Sequence, residues 1–414
     1  MVPTLWLSCH VAYACRHSGA CCRSGWPLPV EDRVVASMEA GVARGRLSSV
    51  DGGVIWLDET AGAPAGIAGT FRLIDGGCVF HAPRPSVPAV AAPEPAVAAG
   101  VVAGAVAQPS HGTAADRHCG VHATLGHTAL PSACQHFPRI CLIDGRGVRV
   151  TLSHFCPTAA ALLVDEARPV TIVPGPPAVA DLDVPEGLDA RDQLPPRLTD
   201  RVLMDLDALT AWEAHVVAML AGPDAMAGSV DDTLARLHVD AVRLARWTPS
   251  SGSLAAAVCE LGQHVAAAGA LTPGAVPQGG AAPVFTPVEA YALGNSACRA
   301  PWTWPAPPRQ LEALDANLVA ARWPAVEGTV RRYLAGKAFG AWITYQSDAA
   351  RALVASLALA HTVLRVECAR AAAAAGRALD RDILIAAVRE ADRLLLHHAD
   401  SAALAEGLGR HRRH

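Results

Sequence analysis

Twelve cysteines punctuate this chain, and nine fall before residue 160: Cys9, Cys15, Cys21, Cys22, Cys78, Cys119, Cys134, Cys141 and Cys156. Cysteines at that density either ligate metal or form disulfides. A chain of 414 residues buries enough surface to hold a core without covalent staples. Clustered cysteines without an export signal then read as metal ligands in a reducing, cytoplasmic setting. The opening Met1–Cys15 stretch is apolar and places Ala14 before a cysteine, as a lipoprotein signal would. It lacks a basic start and is interrupted by Cys9 and His10, so export is not expected.

Two groups of thiols carry the chemistry. The first is Cys15-Arg16-His17-Ser18-Gly19-Ala20-Cys21-Cys22, followed by Trp26. Adjacent cysteines point apart in regular structure, but a glycine-containing turn can bring both onto one ion. The second group is Cys78 after Asp75-Gly76-Gly77, Cys119 in His118-Cys119-Gly120-Val121-His122, Cys134 in Leu130-Pro131-Ser132-Ala133-Cys134, and Cys156 in His154-Phe155-Cys156-Pro157. Thiolates suit zinc and iron–sulfur clusters, both of which usually take four ligands. Seven candidates (Cys15, Cys21, Cys22, Cys78, Cys119, Cys134 and Cys156) exceed one such site. Either two sites exist or some thiols are buried bystanders. The spacing matches neither a zinc ribbon nor a ferredoxin.

The order of these motifs resembles the cysteine-cluster family of zinc- or iron-chelating proteins that includes the flagellin lysine-N-methylases. That family opens with CxxCGxCC and a following tryptophan. Here the segment from Cys15 to Cys22 and then Trp26 correspond, with Ser18 in place of the second cysteine. Cys78-Val79-Phe80 and His118-Cys119-Gly120-Val121-His122 correspond to the family's next two elements. The most specific match is Leu125-Gly126, Leu130, Cys134 and Phe137-Pro138-Arg139, and Leu152-Ser153 with Cys156-Pro157 closes the series. The resemblance spans about 150 residues. Helical patterning in the second half makes the protein mainly α, and the resemblance implies an iron–sulfur cluster, with zinc as the alternative. It also implies methyl transfer from S-adenosylmethionine to lysine on a protein such as flagellin. Ser18 removes one possible ligand. The rival expectation is a non-catalytic metal-binding or redox-sensing module that docks a partner.

The remaining candidates read more plainly. Cys9 and Cys141 lie outside the motifs and are expected to be buried bystanders, and Cys259, Cys298 and Cys368 to be structural. His10, His17, His81, His118, His122 and His136 could offer ring nitrogens but are expected to be hydrogen-bond partners. Arg139 could neutralise a thiolate cluster or form a loop salt bridge. Trp302 and Trp304 are expected to clamp an interdomain surface. No glycine-rich adenosyl-binding turn, CxxxCxxC, G-x-S-x-G, Walker loop or H-E-x-x-H occurs. Asp75-Gly76-Gly77 and Asp144-Gly145-Arg146-Gly147 read as turns.

These residues need a scaffold. Residues 1–165 are expected to form a small irregular metal domain, with a helix near Glu31–Val42 and strands near Gly53–Leu57 and Thr70–Ile74. Residues 83–115 are a low-complexity insertion. A proline-rich linker, 166–198, is expected to lead to an all-α domain over 199–414. Apolar residues at helical spacing (Val202, Leu206, Leu209, Trp212, Val216 and Leu220) predict its first helix. Others are predicted over Val230–Trp247, Ser253–Ala268, Leu311–Ala321, Glu327–Tyr345, Asp348–Ala375 and Arg381–His398. A net charge of −4 gives no electrostatic reason for a nucleic-acid partner. No stretch is expected to reach the ~20 apolar residues of a membrane span. Lysine occurs once, at Lys337, and arginine supplies every other fixed cation, as GC-rich codon usage would produce.

Overall fold

The computed structural model describes residues 3–16, 18–47, 54–56, 66–83, 117–178, 187–223, 225, 228–267 and 285–411. The low-complexity insertion falls almost wholly outside these residues, as does His17. The protein is mainly α and divides into two compact units, Cys15–Gln135 and Met1–Ala14 with His136–His414. This division differs from the expected boundary near 165. The reason lies in a sheet that recruits strands from both sides of the cysteine-rich stretch.

In the larger unit that sheet has five strands, in the order Ile172–Pro174, Thr4–Leu7, Gly147–Leu152, Arg139–Asp144 and Gly187–Asp189. Thr4–Leu7 runs parallel to Gly147–Leu152, with Trp6 opposite Val150. Arg139–Asp144 and Gly147–Leu152 form a hairpin. Its turn is the predicted Asp144–Gly147, where the Asp144 carboxylate accepts from the Arg146 amide at 2.9 Å and Gly147 takes a φ of 115°. Strand alternation sorts the side chains: Trp6, Cys141, Ile143, Val150 and Leu152 share one apolar cluster, while Arg149 and Thr151 point the other way and bond to helix-borne residues. The expected linker therefore supplies two edge strands.

Most predicted helices form. They include Val230–Leu244, Leu254–Ala267, Ala349–Ala375 and Arg381–Asp392. Ser229 and Asp232 make a reciprocal capping box at the first of these. The helix predicted from Val202 begins instead at Leu206, capped by Asp205, because Val202–Leu203 pairs as a short strand with Arg197–Thr199. The long helix predicted over Glu327–Tyr345 stops at Ala338. Phe339 is extended, Gly340 takes a φ of 65°, and a short turn resumes at Ile343. Ala349–Ala375 is long and apolar enough to cross a bilayer, contrary to expectation. However, 83% of its apolar window is buried in the protein, where its residues belong to the main core.

The smaller unit has a three-stranded sheet, Pro29–Glu31, Ile67–Phe71 and Val54–Trp56. Helix Asp32–Ala43 buries Val34, Val35 and Met38 in a core with Val30, Val54, Phe71 and Val121. Cys22, Cys78, Cys119 and Cys134 pack against or within that core.

Candidate metal centre

Four short elements bring thiols together in the smaller unit. The first is the tight turn Cys21–Arg23. Gly19 precedes it with a φ of 69°, and a Cβ there would meet His81 Nε2 at 2.3 Å. Glycine is thus required both by conformation and by space. The turn closes through Cys22 N–H to Gly19 O at 3.1 Å and leaves the Cys21 and Cys22 sulfurs 4.0 Å apart. Ser18, where the resembled family has cysteine, sits with its hydroxyl 3.5 Å from the Ala20 amide.

The second element is the hairpin Leu73–Ile74 with Gly77–Cys78, which puts Cys78 opposite Leu73. Asp75 and Gly76 both take positive φ, 49° and 74°, as a two-residue hairpin turn demands. The third is the ladder His81–Pro83 with Arg117–Cys119. It delivers Cys119 to the start of the short helix Gly120–Leu125. The fourth is helix Ser132–His136, carrying Cys134. Glu31 Oε1 accepts from the Ser132 amide at 2.9 Å, and Arg33 donates to the Ser132 hydroxyl at 2.9 Å.

The resulting thiols perturb one another. Hydrogen bonding to Cys22 pulls Cys119 down to about 7, helped by the backbone amides of His122 and Val121. Cys21 is lowered, chiefly by its own hydrogen bond to Cys22. Cys22 is pushed up by its side-chain hydrogen bonds to Cys119 and Cys21. Burial, with smaller contributions from Cys119 and Cys21, raises Cys78 to about 11. Cys134 is raised by burial and by Cys21, Cys119 and Cys78. Five of the seven sequence-predicted thiols therefore share one electrostatic neighbourhood. Cys15 is in the same unit but exposed. Cys156 belongs to the other unit, with its sulfur 3.6 Å from the Tyr13 hydroxyl.

Sulfurs bound at about 2.3 Å to a tetrahedral ion stand roughly 3.8 Å apart. The Cys21–Cys22 separation of 4.0 Å fits that requirement. Among the described residues, no three His, Cys, Asp or Glu side chains already converge closely enough to hold an ion.

The other candidates separate from this group. Cys9 is buried, and burial raises its thiol to about 12. Cys141 is buried with its sulfur 3.7 Å from His136 Nε2, and His136 Nδ1 bonds the Arg139 carbonyl at 3.0 Å. Arg139 lies over the Tyr13 ring in the larger unit. Cys368 is fully buried and Cys298 half-buried, whereas Cys259 is exposed on its helix. Trp304 is buried edge-on to Tyr291, and Trp302 stacks on His398, within the larger unit.

A second polar constellation, missed in the sequence, lies in the larger unit. Asp392 accepts from the Tyr333 hydroxyl at 3.0 Å and the His154 amide at 2.5 Å, and pairs with Lys337 Nζ at 2.5 Å. His154 Nε2 faces His10 Nε2 at 3.1 Å. The aromatic-and-lysine spacing from Tyr333 to Lys337 was the available signal, but it reads equally as a core stripe. No family model matches this chain, and no curated protein or solved structure matches it.

Proposed function

We propose that Cys15–Gln135 is a cysteine-rich metal-binding module attached to a mainly helical body. It would hold an iron–sulfur cluster, with zinc as the alternative, in a reducing cytoplasmic setting. The observation that carries this reading is the mutual perturbation of Cys21, Cys22, Cys78, Cys119 and Cys134, with Cys119 lowered to about 7. A metal ion takes thiolates, and two of these thiols are already biased toward that state. Cys21, Cys22, Cys119 and Cys134 would be the ligand set, Cys78 the fifth sulfur beside it, and Cys15 and Cys156 outside it.

The finer reading is a protein-lysine N-methylase using S-adenosylmethionine, with a protein such as flagellin as substrate. Its support is the order of motifs alone. The metallated protein should bind S-adenosylmethionine in calorimetry, and absence of binding to fully loaded protein would reject this reading. A second reading, a redox-sensing interaction module, is favoured by the thiol–thiolate contact of Cys22 with Cys119. A peroxide would take two electrons from such a pair and leave a disulfide and water. Mass spectrometry after peroxide treatment would show a loss of two hydrogens confined to these cysteines, and unchanged mass would reject it.

A further inference from the structure

Of the 34 lysines and arginines in the chain, only Lys337 is lysine. It sits in the last turn of helix Trp323–Ala338, with its side chain only 12% exposed and Nζ 2.5 Å from Asp392 Oδ1. Burial of a cation does not by itself call for lysine in this fold. In the same unit Arg149 is 2% exposed and pairs through Nε with Glu213 at 2.8 Å. What lysine offers and arginine does not is an amine that can lose its proton.

Lys337 lines a cavity of about 330 Å³. Its walls are mostly apolar, including Phe339, Trp342, Ile343 and Leu404, with Arg299 and His397 as polar groups. A small apolar cavity with a few convergent polar groups is the ordinary form of a ligand site. The helix bearing Asp392 changes to π-type turns over Arg393–His398, and Leu395, Leu396 and His397 from that segment all line the cavity. Such turns are rare and concentrate at functional sites.

We propose that Lys337 is the nucleophilic amine of a site that takes a small aldehyde or ketone with an apolar body and holds it as a Schiff base. The neutral amine adds to the carbonyl carbon to give a carbinolamine. The carbon–oxygen bond then breaks, and the oxygen leaves as water with the two amine protons. No electrons are gained or lost. Burial lowers the amine below its ordinary value, against the pull of Asp392. The other groups facing it are Tyr333, His10, His154 and His397. Burial lowers all three imidazoles and raises the tyrosine hydroxyl. Arg299, also on the cavity wall, is paired with Asp400 at 3.6 Å. Every one of these residues lies in the larger unit, so the proposal is independent of the metal reading.

The single lysine makes the test clean. Full-length protein is treated with benzaldehyde and cyanoborohydride near neutral pH, natively and unfolded in guanidinium, and adducts are mapped by mass spectrometry. Only Lys337 and the N-terminal amine can be trapped, and the latter serves as the internal standard. Native Lys337 should be trapped several-fold faster than unfolded Lys337, because burial lowers its amine below the ordinary value. Slower trapping in the native state would make Lys337 an occluded structural cation and overturn the proposal. Ser356→Phe, on the cavity wall, should abolish the native acceleration, and unchanged acceleration would remove the cavity from the account. The wild-type comparison decides the matter even if that variant does not fold.

Discussion

Cys119 accepts from Cys22 and from two backbone amides at once, which pulls its thiol down to about 7, whereas burial holds Cys78 and Cys134 above the ordinary thiol value. In metal-free protein, Cys119 and Cys21 should be alkylated by iodoacetamide well before Cys78 and Cys134, with a rate midpoint for Cys119 near 7, measurable by peptide mapping across pH. Cys22→Ala removes the principal donor and should move that midpoint upward toward the ordinary thiol value. A midpoint unmoved by the substitution would mean the amides alone hold the thiolate. At this scale the sequence motifs were informative. Gly19 and Asp75-Gly76 have types that their backbone angles demand, and they place Cys21, Cys22 and Cys78. The ligand subset was not legible. Cys15 and Cys156 sit in motifs as regular as the others, and only the chain's path separates an exposed thiol and a tyrosine-bonded one from the five.

Among the elements, helices with long apolar stripes were readable because the signal is local: Leu384, Val388, Ala391 and Leu395 are all buried as their spacing predicts. The mixed sheet was not readable. Its central pairing joins Thr4–Leu7 to Gly147–Leu152 across some 140 residues, and its edge strands are three residues each within proline-rich sequence. Of the hairpin Arg139–Leu152, only the turn Asp144–Gly147 was legible. That hairpin is anchored by a buried network. Arg149 Nε and Arg146 both approach Glu213, Tyr345 donates to Asp144 at 2.8 Å, and the Gly340 amide donates to Glu213 at 2.9 Å. Glu213→Ala leaves buried Arg149 with only its longer 3.8 Å approach to Asp144 and should destabilise the larger unit by about 3–5 kcal/mol in denaturant unfolding. Arg149→Met combined with Glu213→Leu should restore most of that loss. Additive losses in the double variant would contradict the view that the buried charge dominates.

For the whole molecule, the account divides labour between a thiol-bearing unit and a helical unit with its own buried Lys337–Asp392 site. If the smaller unit folds around its metal, loading should raise its unfolding temperature and a chelator should lower it. The Arg149–Glu213 anchor lies in the other unit, so Glu213→Ala should leave metal content unchanged. The central claim, that Cys21, Cys22, Cys119 and Cys134 hold a metal, is tested most directly by anaerobic purification followed by an absorption spectrum with iron, sulfide and zinc analysis. The account predicts brown protein with broad absorption near ~400 nm and matching iron and acid-labile sulfide, or colourless protein with about one zinc. Either should be lost in a Cys119→Ala, Cys134→Ala double variant. Protein that carries no stoichiometric metal, and in which all four thiols react freely with iodoacetamide, would contradict it.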